Sequence, residues 1–187
     1  MKMKFPKHLA IPLNATTVLR TLKEEDAPIL FTLTDANRVY LKQWLPWLDT
    51  CQTPQDSLTF IQGRLNAQEK NEAITFGIWE DGLLMGVISY IVVNEDEGST
   101  CIGYWISQPA QGRGIATLAT QTLVTFAFRT LGLRRLTIDC AQENLKSRAI
   151  PERLGMKLSN QPPKKANLYG QWVDHITYVA EAWSWRY

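Results

Sequence analysis

Residues 16–22, TTVLRTL, alternate polar with branched or aliphatic side chains and predict a first strand. In residues 23–38, KEEDAPILFTLTDANR, acidic residues fill the opening turn of a predicted helix, so the chain starts β then α. Pro46 breaks residues 39–50, VYLKQWLPWLDT. The next helix spans residues 53–71, with Thr53 as N-cap, Pro54 at its first position, Asp56 completing a capping box, and Leu58, Ile61 and Leu65 as its apolar stripe. Residues 74–106 read as three strands joined at Glu80-Asp81-Gly82 and across the acidic NEDEGS turn, an antiparallel meander.

Beyond the meander, Ile115, Leu118, Ala119, Leu123, Phe126 and Ala127 recur at helical spacing, and Gly132 stops that helix. Residues 133–141, LRRLTIDCA, predict a strand; Asn144 caps a short helix over 145–154 that Gly155 ends. Residues 156–165 and 172–183 supply two last strands around a Tyr169-Gly170 turn. No repeat or linker interrupts this order, which predicts one domain over residues 1–187.

Composition narrows the function classes. With 45% hydrophobic and 20% charged residues, the 187-residue chain is large enough for a sizeable core. Lysine plus arginine is 20 and aspartate plus glutamate 18, and a formal charge of +2 gives no argument for a nucleic-acid partner. Cys51, Cys101 and Cys140 are odd in number and widely spaced, which suggests reduced, mostly buried thiols in a cytoplasmic protein and neither a disulfide framework nor a metal site. His8 and His175 have no companions at metal spacing. The basic residues of MKMKFPKHLAIPL are interrupted by Pro6 and Pro12, and GLLMGVISYIVV is too short to span a bilayer, so neither secretion nor membrane insertion is expected. The seven tryptophans could line a groove or fill the core.

Between the meander and the next helix stands ISQPAQGRGIATLAT. A strand, a glycine turn and a helix can present backbone N–H groups and a positive helix end to a phosphate, with Gly112 and Gly114 free to take positive φ and Arg113 adding a cation. The alternative is a tight connection that needs glycine for geometry alone. No Gly-Lys-Ser/Thr ending and no GxGxxG are present, which excludes a P-loop and disfavours a dinucleotide fold.

The segment resembles the Gln/Arg-x-x-Gly-x-Gly/Ala signature of the GNAT N-acetyltransferases, with Gln111, Gly114 and Ala116 on its defining positions. ENLKSRAIPERLGM resembles the next signature of that superfamily, placing Asn144, Ser147, Glu152, Arg153, Leu154 and Gly155 in register, with Met156 where Phe is usual. LKQWLPWLD and LYGQWVDHITY are similar to the RimJ/RimL branch, which acetylates N-terminal amines of ribosomal proteins.

The resemblance implies a mixed α/β GNAT fold, a mostly antiparallel sheet of about seven strands that splays between the fourth and fifth. It implies acetyl-CoA as co-substrate and no metal. Gln111, Gly112, Arg113, Gly114, Ile115, Ala116 and Thr117 would hold the pyrophosphate, and Trp105, Ile106, Ser107 and Asn144 the pantetheine arm, with Ser147 also among the cofactor-binding residues. Ser147 maps to a proposed general acid, or is a first-turn residue bonding backbone. No glutamate stands near Cys101 or at Ala166, where relatives carry a base; Glu95, Asp96, Glu97 and Asp139 read as turn charges or structural acceptors. Bulk deprotonation is an alternative, since an N-terminal amine has a pKa of roughly 8. Pro151 removes one helical hydrogen bond, at a usual cost of about 3 kcal/mol, and frees the carbonyl of Ser147.

Arg38, Tyr40, Trp44 and Trp47 fall where relatives form one wall of the acceptor groove; Tyr40, Trp44 and Trp47 are the candidate acceptor-binding residues, or they pack the first helix on the sheet. The implied acceptor is a protein N-terminus, with a small amine or a non-catalytic acyl-CoA-binding module as alternatives, and a homodimer is possible within the family.

Overall fold

The computed structural model describes residues 4–186; Met1 to Met3 and Tyr187, counted within the one domain by the sequence reading, lie outside the described residues. Strands β1 (Ala10–Pro12) and β2 (Thr17–Thr21) open the chain. The single helix expected over 23–38 is resolved into a 3-10 turn at Glu24–Asp26, α1 (Ala27–Ala36) and the one-turn α2 (Arg38–Leu41). Pro46 starts a second 3-10 turn, Pro46–Thr50. Helix α3 (Pro54–Glu69) begins on the expected cap: Thr53 Oγ1 accepts from Asp56 N–H, and Asp56 Oδ2 accepts from Thr53 N–H at 2.8 Å.

The meander is β3 (Ile74–Glu80), β4 (Leu83–Asn94) and β5 (Ser99–Ile106). Helix α4 (Ile115–Arg129), strand β6 (Arg135–Ala141) and helix α5 (Leu145–Arg153) follow. The last part is three strands where two were expected: β7 (Lys157–Leu158), β8 (Lys164–Leu168) and β9 (Gln171–Glu181). Pro162 and Pro163 cannot donate to a ladder, and they separate β7 from β8. With β1 added at the other edge, the sheet has nine strands rather than about seven.

Strand order is β1-β2-β3-β4-β5-β6-β9-β7, with β8 also on β9. Every neighbour pair is antiparallel except β5 with β6. That parallel pairing runs from Ser99↔Arg135 only to Ile102↔Ile138, while β4 follows β5 to Gly86↔Ile106 and β9 follows β6 to Ala141↔His175. Each strand stays paired on its far side, and the sheet opens between residues 103–106 and 139–141.

Helix α4 covers one face. Its Ala119, Leu123, Val124 and Ala127 pack on Phe76, Ile88, Ile102, Leu136 and Ile138, and the buried Tyr90 hydroxyl donates to Leu123 O at 2.5 Å. Helices α1 and α3 cover the other, through Leu30 and Ile61 on Trp79, Leu84 and Val87. Arg64 of α3 ties this layer to the strands by bonds to Thr75 Oγ1 at 2.9 Å and Tyr90 O at 3.2 Å. Arg20 lies 3.9 Å over the Trp79 ring and pairs with the buried Asp26 through two 2.8 Å bonds. Among the described residues no helix is long and apolar enough to cross a membrane.

Candidate active site

The glycine segment starts as a 3-10 turn, Gln108–Ala110, and enters α4 through Gly112 at φ 73° and Gly114 at φ 77°. Left-handed backbone costs an L side chain about 1–2 kcal/mol, which is the local reason for glycine at both positions. A Cβ at either glycine would meet no atom within 4 Å, so the space before the helix is open. The first intrahelical bond is Leu118 N–H to Gly114 O; the preceding N–H groups of Ile115, Ala116 and Thr117 have no carbonyl within the helix to reach. Three donors at a positive helix end fit an anion such as pyrophosphate.

The cations around this loop differ from the sequence reading. Arg113, expected to stand beside the donors, is held by Glu80 of β3 at 2.8 Å. Lys146 and Arg153 of α5 come close to the loop instead: Lys146 Nζ donates to Gln111 Oε1 at 2.9 Å and Arg153 to Thr117 Oγ1 at 2.7 Å. They lie seven residues apart, two helical turns, so one face of α5 carries both. That spacing was readable from the sequence; its direction toward the glycine loop was not.

Along the opening, β5 presents Trp105 and Ile106, then Ser107. Ser107 is buried and its N–H is bound to Met85 O at 2.7 Å. A Cβ on Gly86 would lie 2.3 Å from Trp105 O, so glycine lets β4 hold this strand closely. Tyr40 donates to Ile106 O at 3.0 Å, and Asn37 Oδ1 accepts from Gln108 N–H at 2.7 Å. Tyr40 thus joins the α1–α2 segment to the predicted pantetheine strand, a contact with the sheet of the kind the sequence offers as the alternative to an acceptor wall.

Ser147 and Asn144 stand on the opposite bank. Asn144 Oδ1 accepts from Ser147 N–H at 3.1 Å, the cap expected of it. The Ser147 hydroxyl meets Tyr104 Oη at 3.4 Å, and Tyr104 donates its own proton to the Ser147 carbonyl at 2.9 Å. Pro151, inside α5, has no N–H for that carbonyl, so the tyrosine satisfies it. Burial pushes the Tyr104 hydroxyl well above the ordinary tyrosine range, keeping it a protonated donor. Cys140, next to this group, is pushed up to about 11 by burial and stays a thiol. Tyr104 was missed by the sequence reading, although the period of two through Ile102, Tyr104 and Ile106 already turns it to the α4–α5 face.

On the α1–α3 face a cavity of about 670 Å³ is lined by Ile91, Cys101, Thr137, Asp139, Lys164 and His175, among others. Trp47 is exposed on the 3-10 segment Pro46–Thr50, and Trp44 is partly buried in the turn between α2 and that segment. Arg38 is structural: it donates to Leu48 O and Cys51 O, each at 2.7 Å. The β8–β9 hairpin reaches this segment, with Tyr169 Oη donating to Leu45 O at 3.2 Å and Lys42 lying 5.3 Å over the Tyr169 ring. Ala166 pairs with Val173 in that hairpin and brings no carboxylate. Asp139 lines the cavity, and so does Glu97.

The acetyltransferase (GNAT) domain profile matches residues 17–157. YdaF of Bacillus subtilis (strain 168) is 34% identical over 146 residues, covering 76% of this chain and 78% of its own. The ribosomal-protein-serine acetyltransferase of Escherichia coli (strain K12) is 28% identical over 173 residues, 88% of this chain and 97% of its own. The structure of RimL, a ribosomal L7/L12 α-N-protein acetyltransferase in complex with coenzyme A, superposes with a TM-score of 0.89 at 26% identity, over 92% of this chain and 98% of that one. The matched residues take in the parted strands, the glycine entry to α4 and the Asn144–Ser147 bank, and this chain belongs to the GNAT acetyltransferase family and is an N-acetyltransferase.

Proposed function

We propose that this enzyme takes acetyl from acetyl-CoA and transfers it to the N-terminal α-amine of a ribosomal protein. The observation that carries the reading is the opening between β5 and β6, with the glycine loop at one end and the Ser147–Tyr104 pair on its bank. The co-substrate supplies an activated acetyl thioester. Ile115, Ala116 and Thr117 N–H groups, with Lys146 and Arg153 beside them, would hold its phosphates. Trp105, Ile106 and Ser107 would line the pantetheine arm.

Transfer needs a neutral amine and a proton for the departing thiolate. Ser147 is the donor in this reading. Its hydroxyl is oriented by Tyr104, whose own proton is committed to the Ser147 carbonyl, so the Ser147 hydrogen is the one free to turn. The acceptor would arrive from the α1–α3 face, between the Trp44–Trp47 segment and the β8–β9 hairpin. Contact between Tyr169 and Leu45 joins these two walls, an arrangement that suits a chain end better than a side chain in mid-sequence. The names of the Escherichia coli relative and of RimL support this class of acceptor.

Thiol release from acetyl-CoA, measured with serine- and alanine-initiated peptides beside spermidine and free amino acids, tests the reading. Turnover with the peptides is expected; turnover with small amines alone overturns the acceptor class.

A further inference from the structure

We propose that the Asp139 carboxylate is the docking site for the cationic amine of the acceptor, and that Lys164 holds the place until an acceptor arrives. The inference rests on the amine-acceptor reading and gives that groove its recognition group.

Asp139 is the first residue of β6 beyond the last β5 partner, Ile138↔Ile102, so it stands where the sheet begins to part. Its side chain is turned to the α1–α3 face, the same face as Thr137 and Thr177, and away from Cys140 and Ser147. Ile91 lies alongside, its Cδ1 2.5 Å from where a Gly103 Cβ would be, and half-exposed, so the carboxylate has an apolar floor beside it.

The carboxylate is held and already carries an amine. Thr177 Oγ1 donates to Oδ1 at 2.5 Å, fixing the plane of the group, and Lys164 Nζ donates to Oδ2 at 2.6 Å. A primary ammonium in this position shows that the site accepts the shape and charge of a terminal amine. Lys164 is itself 63% exposed, and ion pairs formed by such flexible surface lysines hold little net stability, so exchange for another ammonium is cheap. In the same cavity His175 Nε2 is buried without a hydrogen-bond partner. It is a polar atom for which an incoming peptide group is a suitable partner.

Binding of a serine-initiated peptide to the coenzyme A-loaded enzyme, followed by calorimetry, tests this. Asp139→Asn is expected to weaken the free-amine peptide at least tenfold while coenzyme A affinity is unchanged, which also shows that the fold is intact. The N-acetylated peptide should bind weakly to both proteins. Lys164→Met, which removes the internal competitor, should bind the free-amine peptide as tightly as the wild type or more so. Equal affinity in Asp139→Asn, an equal loss for the capped peptide, or weaker binding by Lys164→Met would overturn the assignment. If the wild type acetylates no peptide, the ribosomal acceptor reading falls, and the Asp139 assignment is decided by the same variants with propylammonium as the probe.

Discussion

Tyr104 and Ser147 are bonded twice, once from the tyrosine hydroxyl to the Ser147 carbonyl at 2.9 Å and once from the serine hydroxyl to Tyr104 Oη at 3.4 Å. Ser147→Ala is expected to lower kcat about a hundredfold with little change in acetyl-CoA affinity. Tyr104→Phe leaves the Ser147 carbonyl short of a donor, so it should lower kcat by a smaller factor and also cost roughly 1–3 kcal/mol of stability. Because the two groups act as a unit, the double variant should be close to Ser147→Ala in rate, and multiplicative losses would break the link.

Gly114→Ala probes conformation and Gly114→Glu adds charge. Both must bear the left-handed φ of 77°, but the space at that Cβ is open. Alanine should therefore cost roughly 1–2 kcal/mol of stability and weaken acetyl-CoA modestly. Glutamate should abolish measurable acetyl-CoA binding by setting a negative charge before the helix end. Similar affinities for the two variants, by calorimetry, would show that the loop does not hold the phosphates.

The Arg20–Asp26 pair predicts an acid limb in stability. Burial pushes the Asp26 carboxyl up, but the Arg20 guanidinium and the Lys23 N–H outweigh it and leave the group below its ordinary 3.8. A carboxyl lowered in the folded state contributes its full stabilisation above the unfolded value and loses it as pH falls through the lowered folded value. Asp26→Asn should cost about 2 kcal/mol near pH 7, and the difference from wild type should vanish only below about pH 3.8, read from urea melts across pH.

Cys140 should be slow to alkylate. A thiol pushed up to about 11 has on the order of a few thiolates per ten thousand molecules at pH 7.4. Iodoacetamide labelling of native protein, followed by mass spectrometry, should be at least a hundredfold slower at Cys140 than in urea-unfolded chain. Rapid native labelling would mean that the thiol is neither buried nor idle.

Local chemistry made much of this architecture legible in advance. Thr53, Pro54 and Asp56 state a helix start in three residues, and the structure has that start with both reciprocal bonds. Gly112 and Gly114 took the positive φ expected of them because the preference is their own. What stayed hidden depends on partners distant in sequence. Tyr104 is in sequence terms one residue of the third meander strand, since its meaning comes from a proline 47 positions later. Lys164 and Asp139 are 25 residues apart and meet because β8 and β6 both pair with β9. The extra strands have other reasons: Ala10–Pro12 is too short for any period to show, and the one strand expected over 156–165 is divided by Pro162 and Pro163 into β7 and β8.

The parting of β5 from β6 has a mechanical side. Among the described residues, four ladder pairs and the Gly98–Arg134 contact just before them stitch the five-strand plate β1–β5 to the four-strand plate β6–β9 along the sheet, the rest of the seam being left to the helices above and below. A long, thin molecule laid into that seam would supply the missing rungs, so the co-substrate, bound as proposed, would become a temporary strut between two plates. Amides on residues 103–106 and 139–141 should then exchange with solvent far more slowly once it is bound, and the whole protein should melt later, by about 2.7 kcal/mol of added stability at a hundredfold excess over Kd.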